Sequence, residues 1–173
     1  MEFPGDLSSL QQFLERGGPV LTWIMGLTFV MWAFILERLV YFFFAHKGVK
    51  GRALQEWGAR SDHESWHAHA IRDQLISEVK QKADQNVELI KTLVAVAPLF
   101  GLLGTVTGMV SVFDVMSISG SSDARAMSDG VARATIPTMA GMVAALSGLL
   151  FSNQIERMAK RSVNELADEL EVD

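Results

Sequence analysis

The chain has 173 residues, 49% of them hydrophobic, with a formal net charge of −5 and no cysteine. That length suits one domain, and the lack of thiols excludes disulfides, thiolate catalysis and cysteine-ligated metal. The small negative charge says little about partners and gives no sign of a nucleic-acid-binding surface.

The apolar residues are concentrated in three windows free of Asp, Glu, Lys and Arg: 17–36, 92–113 and 134–155, holding 20, 22 and 22 residues. A helix needs about 20 apolar residues to cross a hydrocarbon core of roughly 30 Å. A soluble bundle with three buried helices is the alternative, but soluble core helices are usually shorter and keep a polar face. The expected fold is therefore an all-α integral membrane protein with three transmembrane helices. Orientation follows from Lys and Arg. Residues 45–91 carry Lys47, Lys50, Arg52, Arg60, Arg72, Lys80, Lys82 and Lys91, against Arg16 alone in the N-terminal tail and Arg125 and Arg133 between the second and third spans. The positive-inside rule puts the long loop and the C-terminal tail in the cytoplasm and the N-terminus outside. The acidic start (Glu2, Asp6) argues against a cleaved signal peptide.

Taken in chain order, residues 1–18 form a short external segment. Leu7, Leu10 and Leu14 recur there at helical spacing, as for a helix lying in the membrane interface, and Gly17-Gly18-Pro19 closes it. The first span, 19–45, is bulky all round (Trp23, Phe29, Trp32, Phe34, Phe42, Phe43, Phe44) and suits a lipid-facing helix. Glu37 and Arg38 sit near its cytoplasmic end as interfacial charges that pair or snorkel. Residues 46–91 form a cytoplasmic loop and helix. His63, His67 and His69 lie in it, but His69 leaves the face shared by the other two and no fixed carboxylate supports a metal site.

A small or apolar residue then recurs at Ile76, Val79, Ala83, Val87, Ile90, Val94, Ala97, Gly101, Gly104, Gly108 and Ser111, always three or four apart. This unbroken stripe predicts one helix from about residue 70 to 116, roughly 70 Å long, bent at Pro98. Its membrane part, 92–116, is the second span. A loop at 117–130 leads to the third span, 131–155, whose own stripe is Ala134, Thr138, Gly141, Ala145, Gly148 and Ser152, and a C-terminal cytoplasmic helix follows at 156–173. Small faces let helix backbones approach closely. Without a lysine after the glycines or a strand before them, they are not a phosphate loop. Two such faces exceed the needs of a three-helix monomer and favour a homo-oligomer, with plain bundle packing as the alternative.

Polar groups in the spans are mostly hydroxyls. Thr105 and Thr138 fall within about 6 Å in depth on antiparallel helices. They either bond their own backbones or line a water path. No ionisable residue lies at mid-membrane, so proton conduction would need a carboxylate from a partner. No catalytic pair or activated nucleophile is found, which argues against an enzyme, and no cofactor is implied.

At these residues the sequence resembles the MotA/TolQ/ExbB proton-channel family. The resemblance is carried by Ala97-Pro-Leu-Phe-Gly-Leu-Leu-Gly-Thr-Val, Leu36-Glu-Arg-Leu, and Gly141-Met-Val-Ala-Ala with Asn153, and covers about residues 15 to 160. The short length and three spans look like the family's ExbB branch. The resemblance implies a homopentamer around a central lumen in the bacterial inner membrane. It also implies an ExbD-type single-span partner supplying the proton-carrying Asp, and a TonB-type protein energised for iron-siderophore or similar uptake. Thr105 and Thr138 match the family's two lumen-facing threonines. Arg133 stands where many relatives begin the third span with an acid, so that acid's role is not carried over; Arg133 would meet lipid headgroups or an acidic partner. A TolQ-like subunit of the Tol-Pal envelope system and a non-conducting scaffold are the alternatives.

Overall fold

The computed structural model describes residues 7–59, 65–119 and 124–170. They form helices α1 (Leu7–Val40), α2 (His46–Gly58), α3 (Trp66–Asp84), α4 (Val87–Ser119) and α5 (Ala124–Glu169), with a π-helical turn at Tyr41–Ala45 joining α1 to α2. No strand occurs among the described residues. Among the described residues, three helical stretches are long and apolar enough to cross a membrane: Gly17–Phe44, Trp66–Ile118 and Met127–Glu169.

Local chemistry sets the punctuation. Gly18 adopts φ 69°, ψ −172°, which glycine reaches without a Cβ penalty, and kinks α1 just before Pro19. The side chains of Leu7, Leu10 and Leu14 ahead of this kink lie outside the described residues, as does His63. Ser65 caps α3 by accepting from the Ala68 amide at 3.2 Å. Pro98 and Pro137 lie inside α4 and α5, where each removes one backbone donor without ending its helix.

The helix expected over 70–116 is in fact two. α3 stops at Asp84, and Asn86 stands between it and α4 with φ 61°, a left-handed conformation that asparagine tolerates better than most residues. The buried stripe keeps its phase across this break: Leu75, Val79, Ala83, Val87, Ile90, Val94 and Ala97 are all buried. Two non-helical residues therefore change the backbone without moving the apolar face, and a periodicity argument cannot detect them. At the start of the stripe the buried residue is Leu75, with Ile76 half-buried, and at its far end Ser111 is exposed.

Two compact units are present. The first comprises Met1–Trp32 and Thr92–Leu149. Leu21, Ile24 and Met31 of α1 are buried in it, together with Val94 and Ala97 of α4 and Ala134 and Ala144 of α5. Its outer surface is apolar: Trp23, Phe29, Leu99, Leu103, Val106, Val110, Met139, Val143 and Leu146 are exposed, as suits helices bathed in lipid. The second unit comprises Ala33–Lys91 and Leu150–Asp173. Its core joins Ala53 and Trp57 of α2 to Ala68, Leu75 and Val79 of α3 and to Leu166 and Leu170 at the end of α5. That end is tied down. Arg72 donates from Nε to the Leu170 carbonyl at 2.7 Å and from Nη2 to the Ala167 carbonyl at 2.8 Å, serving acceptors at the C-terminal end of α5. Lys50 adds an ion pair to Glu169 at 2.9 Å.

Candidate functional site

The seam between α4 and α5 is built from residues too small to hold the backbones apart. A Cβ placed on Gly141 would lie 2.6 Å from the Ala97 carbonyl oxygen and 3.1 Å from Gly101 Cα. One on Gly101 would lie 3.0 Å from Thr138 Cα, and one on Gly108 2.6 Å from the Ala134 Cβ. Gly104 faces the Pro137 ring and Val20, while Gly148 faces Met31 and Val94. All these contacts lie within one chain, so the small faces join its own helices and do not by themselves require a second copy. In lipid, where apolar burial gives no drive, such close approach supplies the packing energy instead.

Between residues 134 and 152 of α5 the buried positions are Ala134, Pro137, Gly141, Ala144, Gly148 and Ser152. Thr138 and Ala145, counted on the face by strict three-and-four spacing, lie at its edge and are half-buried. That edge position gives Thr138 its bond. Its Oγ1 donates to the Gly101 carbonyl on α4 at 2.8 Å, across the glycine contact. Thr105 bonds inside its own helix, to the Leu102 carbonyl at 2.7 Å, and exposed Thr107 does likewise to Leu103 at 2.9 Å. The two threonines singled out by sequence are thus not bonded to one another. Arg133 is exposed on α5.

Of pairing and snorkelling, the two outcomes expected for Glu37 and Arg38, the structure shows pairing, and Arg38 is the more deeply placed of the two. Its side chain does not snorkel outward; it is 1% exposed. Nη1 donates to the Lys82 carbonyl at 3.1 Å, Nε lies 3.6 Å from Glu37 Oε2, and the guanidinium stands 5.1 Å from the Tyr41 ring centroid. Glu37 in turn accepts from Asn86 Nδ2 at 3.1 Å. Just past the charge-free stretch of α5, Glu156 is gripped by Lys160 at 2.8 Å and Lys91 at 3.0 Å. These hydrogen bonds, Lys160 first, hold its carboxyl below the usual carboxylate range. Among the described residues no group of three or more His, Asp or Glu could hold a metal ion. His67 and His69 are exposed on α3.

A kinked first helix, a glycine-lined seam between two further membrane-length helices and a separate charged helical unit define a multi-pass membrane protein. Residues 43–168 match the MotA/TolQ/ExbB proton channel family, well over half of the chain, and the protein belongs to that family. It is 44% identical over 66 residues to an ExbB-like biopolymer transport protein of Synechocystis, covering 36% of this chain and 26% of that one. It is 33% identical over 73 residues to the biopolymer transport protein ExbB of Helicobacter pylori, covering 42% and 50%. With exbB1 of Vibrio cholerae the identity is 27% over 92 residues, covering 53% and 40%. The chain thus spans between a quarter and a half of the length of these relatives.

Proposed function

We propose that this chain is the proton-channel subunit of an ExbB-ExbD-type motor in the bacterial inner membrane, coupling the proton motive force to TonB-dependent uptake across the outer membrane. The observation that carries the reading is the seam itself: two membrane-length helices in van der Waals contact, with hydroxyls at their edge and no ionisable side chain in the apolar windows. A proton needs a titratable carrier at that depth, so a partner helix must bring a carboxylate.

Thr105 and Thr138 are suited to meet it. Each spends its hydroxyl hydrogen on a backbone carbonyl, which leaves the oxygen lone pairs free to accept from water or from a protonated carboxyl. A pentamer around the partner helices, with the N-terminus in the periplasm and the C-terminus in the cytoplasm, completes the proposal. It is supported by family membership and by the Lys and Arg distribution.

The test is proton flux into vesicles holding the chain with its single-span partner. Thr138→Val keeps the shape but removes the acceptor. It should assemble normally and lose most of the flux, a drop of about tenfold or more for a hydrogen bond of roughly 1–3 kcal/mol. Thr107→Val should conduct as wild type. Equal loss in both would assign the effect to general packing. A packed bundle with satisfied hydroxyls also suits a non-conducting scaffold, and zero flux in the wild-type complex would favour that reading. Co-purification of a Tol-system partner instead would favour the TolQ-like one.

A further inference from the structure

The Glu37-Arg38 pair grips the break between α3 and α4 at two points. Arg38 holds the carbonyl of Lys82, in the last turn of α3, where backbone acceptors have no partner within the helix. Glu37 holds the side-chain amide of Asn86, the one described non-glycine residue with positive φ. The two charges come from adjacent positions on α1, so one dipeptide spans the discontinuity from its helical side to its left-handed residue.

Water or the chain's own next turn ordinarily serves a helix end. A guanidinium brought from another helix and buried to 1% exposure is costly unless paired; here Glu37 Oε2 stands 3.6 Å from Nε, an ion pair without a hydrogen bond, and the Tyr41 ring faces it. A groove lies beside the break, lined by residues that flank Gln85-Asn86. This open groove of about 380 Å³ is lined by Asp84, Val87 and Glu88 at the break and by Glu156, Lys160 and Asn164 of α5. Contact on one element and space against another is the arrangement of a joint rather than a sealed core.

We propose that Gln85-Asn86 is a hinge and that Glu37 and Arg38 are its latch. With the latch closed, the end of α3 and the start of α4 are both fixed to α1. With it open, the two segments gain freedom to move at Asn86, toward the groove. The inference is independent of the proton-channel reading, because it concerns backbone freedom in the membrane-bound chain whether or not protons flow.

Hydrogen–deuterium exchange of the full chain in lipid nanodiscs tests it. Glu37→Ala should raise exchange in peptides covering 82–90 by about tenfold or more, with peptides covering 140–150 unchanged. Asn86→Gly keeps the left-handed backbone but loses the side-chain amide, and should loosen the same peptides. The double variant should be no looser than Glu37→Ala alone, since Asn86 then has no Glu37 carboxylate left to lose. Glu37→Gln, which keeps an acceptor, and Arg38→Lys, which keeps a donor, should stay within about threefold of wild type. Arg38→Met should loosen the break most. If it fails to fold, the Glu37 and Asn86 variants, at less buried positions, still decide the matter. Unchanged exchange at 82–90 in Glu37→Ala, additive effects in the double variant, or loosening spread evenly over α3, α4 and α5 would each overturn the latch.

Discussion

A glycine in this protein matters according to what stands opposite it. Gly141 faces backbone, the Ala97 carbonyl and Gly101 Cα, neither of which can step aside without moving a helix. Gly26 faces nothing within 4 Å. Gly141→Ala should therefore destabilise the folded chain by about 1–3 kcal/mol, the usual cost of overpacking. Gly26→Ala should be neutral or slightly stabilising, since glycine weakens a helix by roughly 0.5–1 kcal/mol relative to alanine. Thermal melting of the detergent-solubilised protein, followed by size-exclusion recovery, separates the two. A similar loss in both variants would mean that the seam is not where the glycines act. The same contrast bears on what could be seen in advance. Spacing alone marked Gly101, Gly104, Gly108 and Gly141 as a packing face, because small residues at helical intervals in an apolar helix serve chiefly to bring backbones together. It could not say which partner they meet, and here the partner is the neighbouring helix of the same chain.

At the level of whole elements, length and hydropathy led to the expectation of three apolar helices, and three stretches long and apolar enough to cross a membrane occur among the described residues. The discontinuity at Gln85-Asn86 escaped because the apolar stripe keeps its phase through it. The signals were nonetheless present: Lys82 in the last turn of α3, an asparagine, then Glu88 in the first turn of α4, each charge favourable at its own helix terminus. The pairing of Arg38 with Glu37 was expected, but its burial was not legible, for a different reason. A charge near a membrane surface normally reaches for water, and only a three-dimensional neighbour such as the Lys82 carbonyl can draw it inward. The end of α5 offers a test at this scale. Arg72→Met removes both side-chain bonds to the Ala167 and Leu170 carbonyls and should weaken that end by about 1–3 kcal/mol. Trypsin should then cut at Arg157, Lys160 or Arg161 roughly five- to hundredfold faster, with cleavage elsewhere unaltered. Wild-type cleavage rates would show that the buried Leu166 and Leu170 hold the end unaided.

For the molecule as a whole, the proposed orientation makes a simple demand. The chain has no cysteine, so single cysteines can be placed without background. Ser117 is exposed near the end of α4 and Arg52 is exposed on α2. A cysteine at Ser117 should react with an impermeant reagent applied to spheroplasts, and one at Arg52 only after lysis. The reverse pattern would invert the topology and place the charged unit outside. Either way, the spans must leave their exposed apolar faces in lipid or against another protein.

The core that unites Trp57, Leu75 and Val79 with Leu166 and Leu170 also sets a timetable. Its first contributors leave the ribosome early, whereas Leu166 and Leu170 come from the final turn of α5, after two further membrane-length helices have been made and inserted. At roughly 5–20 residues per second, several seconds of synthesis separate the two groups. Throughout that interval the apolar sides of α2 and α3 have no lid. Assembly of this unit is therefore gated by translation of its most distant piece, and nascent chains stalled short of Leu166 should expose an apolar surface that the finished protein never shows.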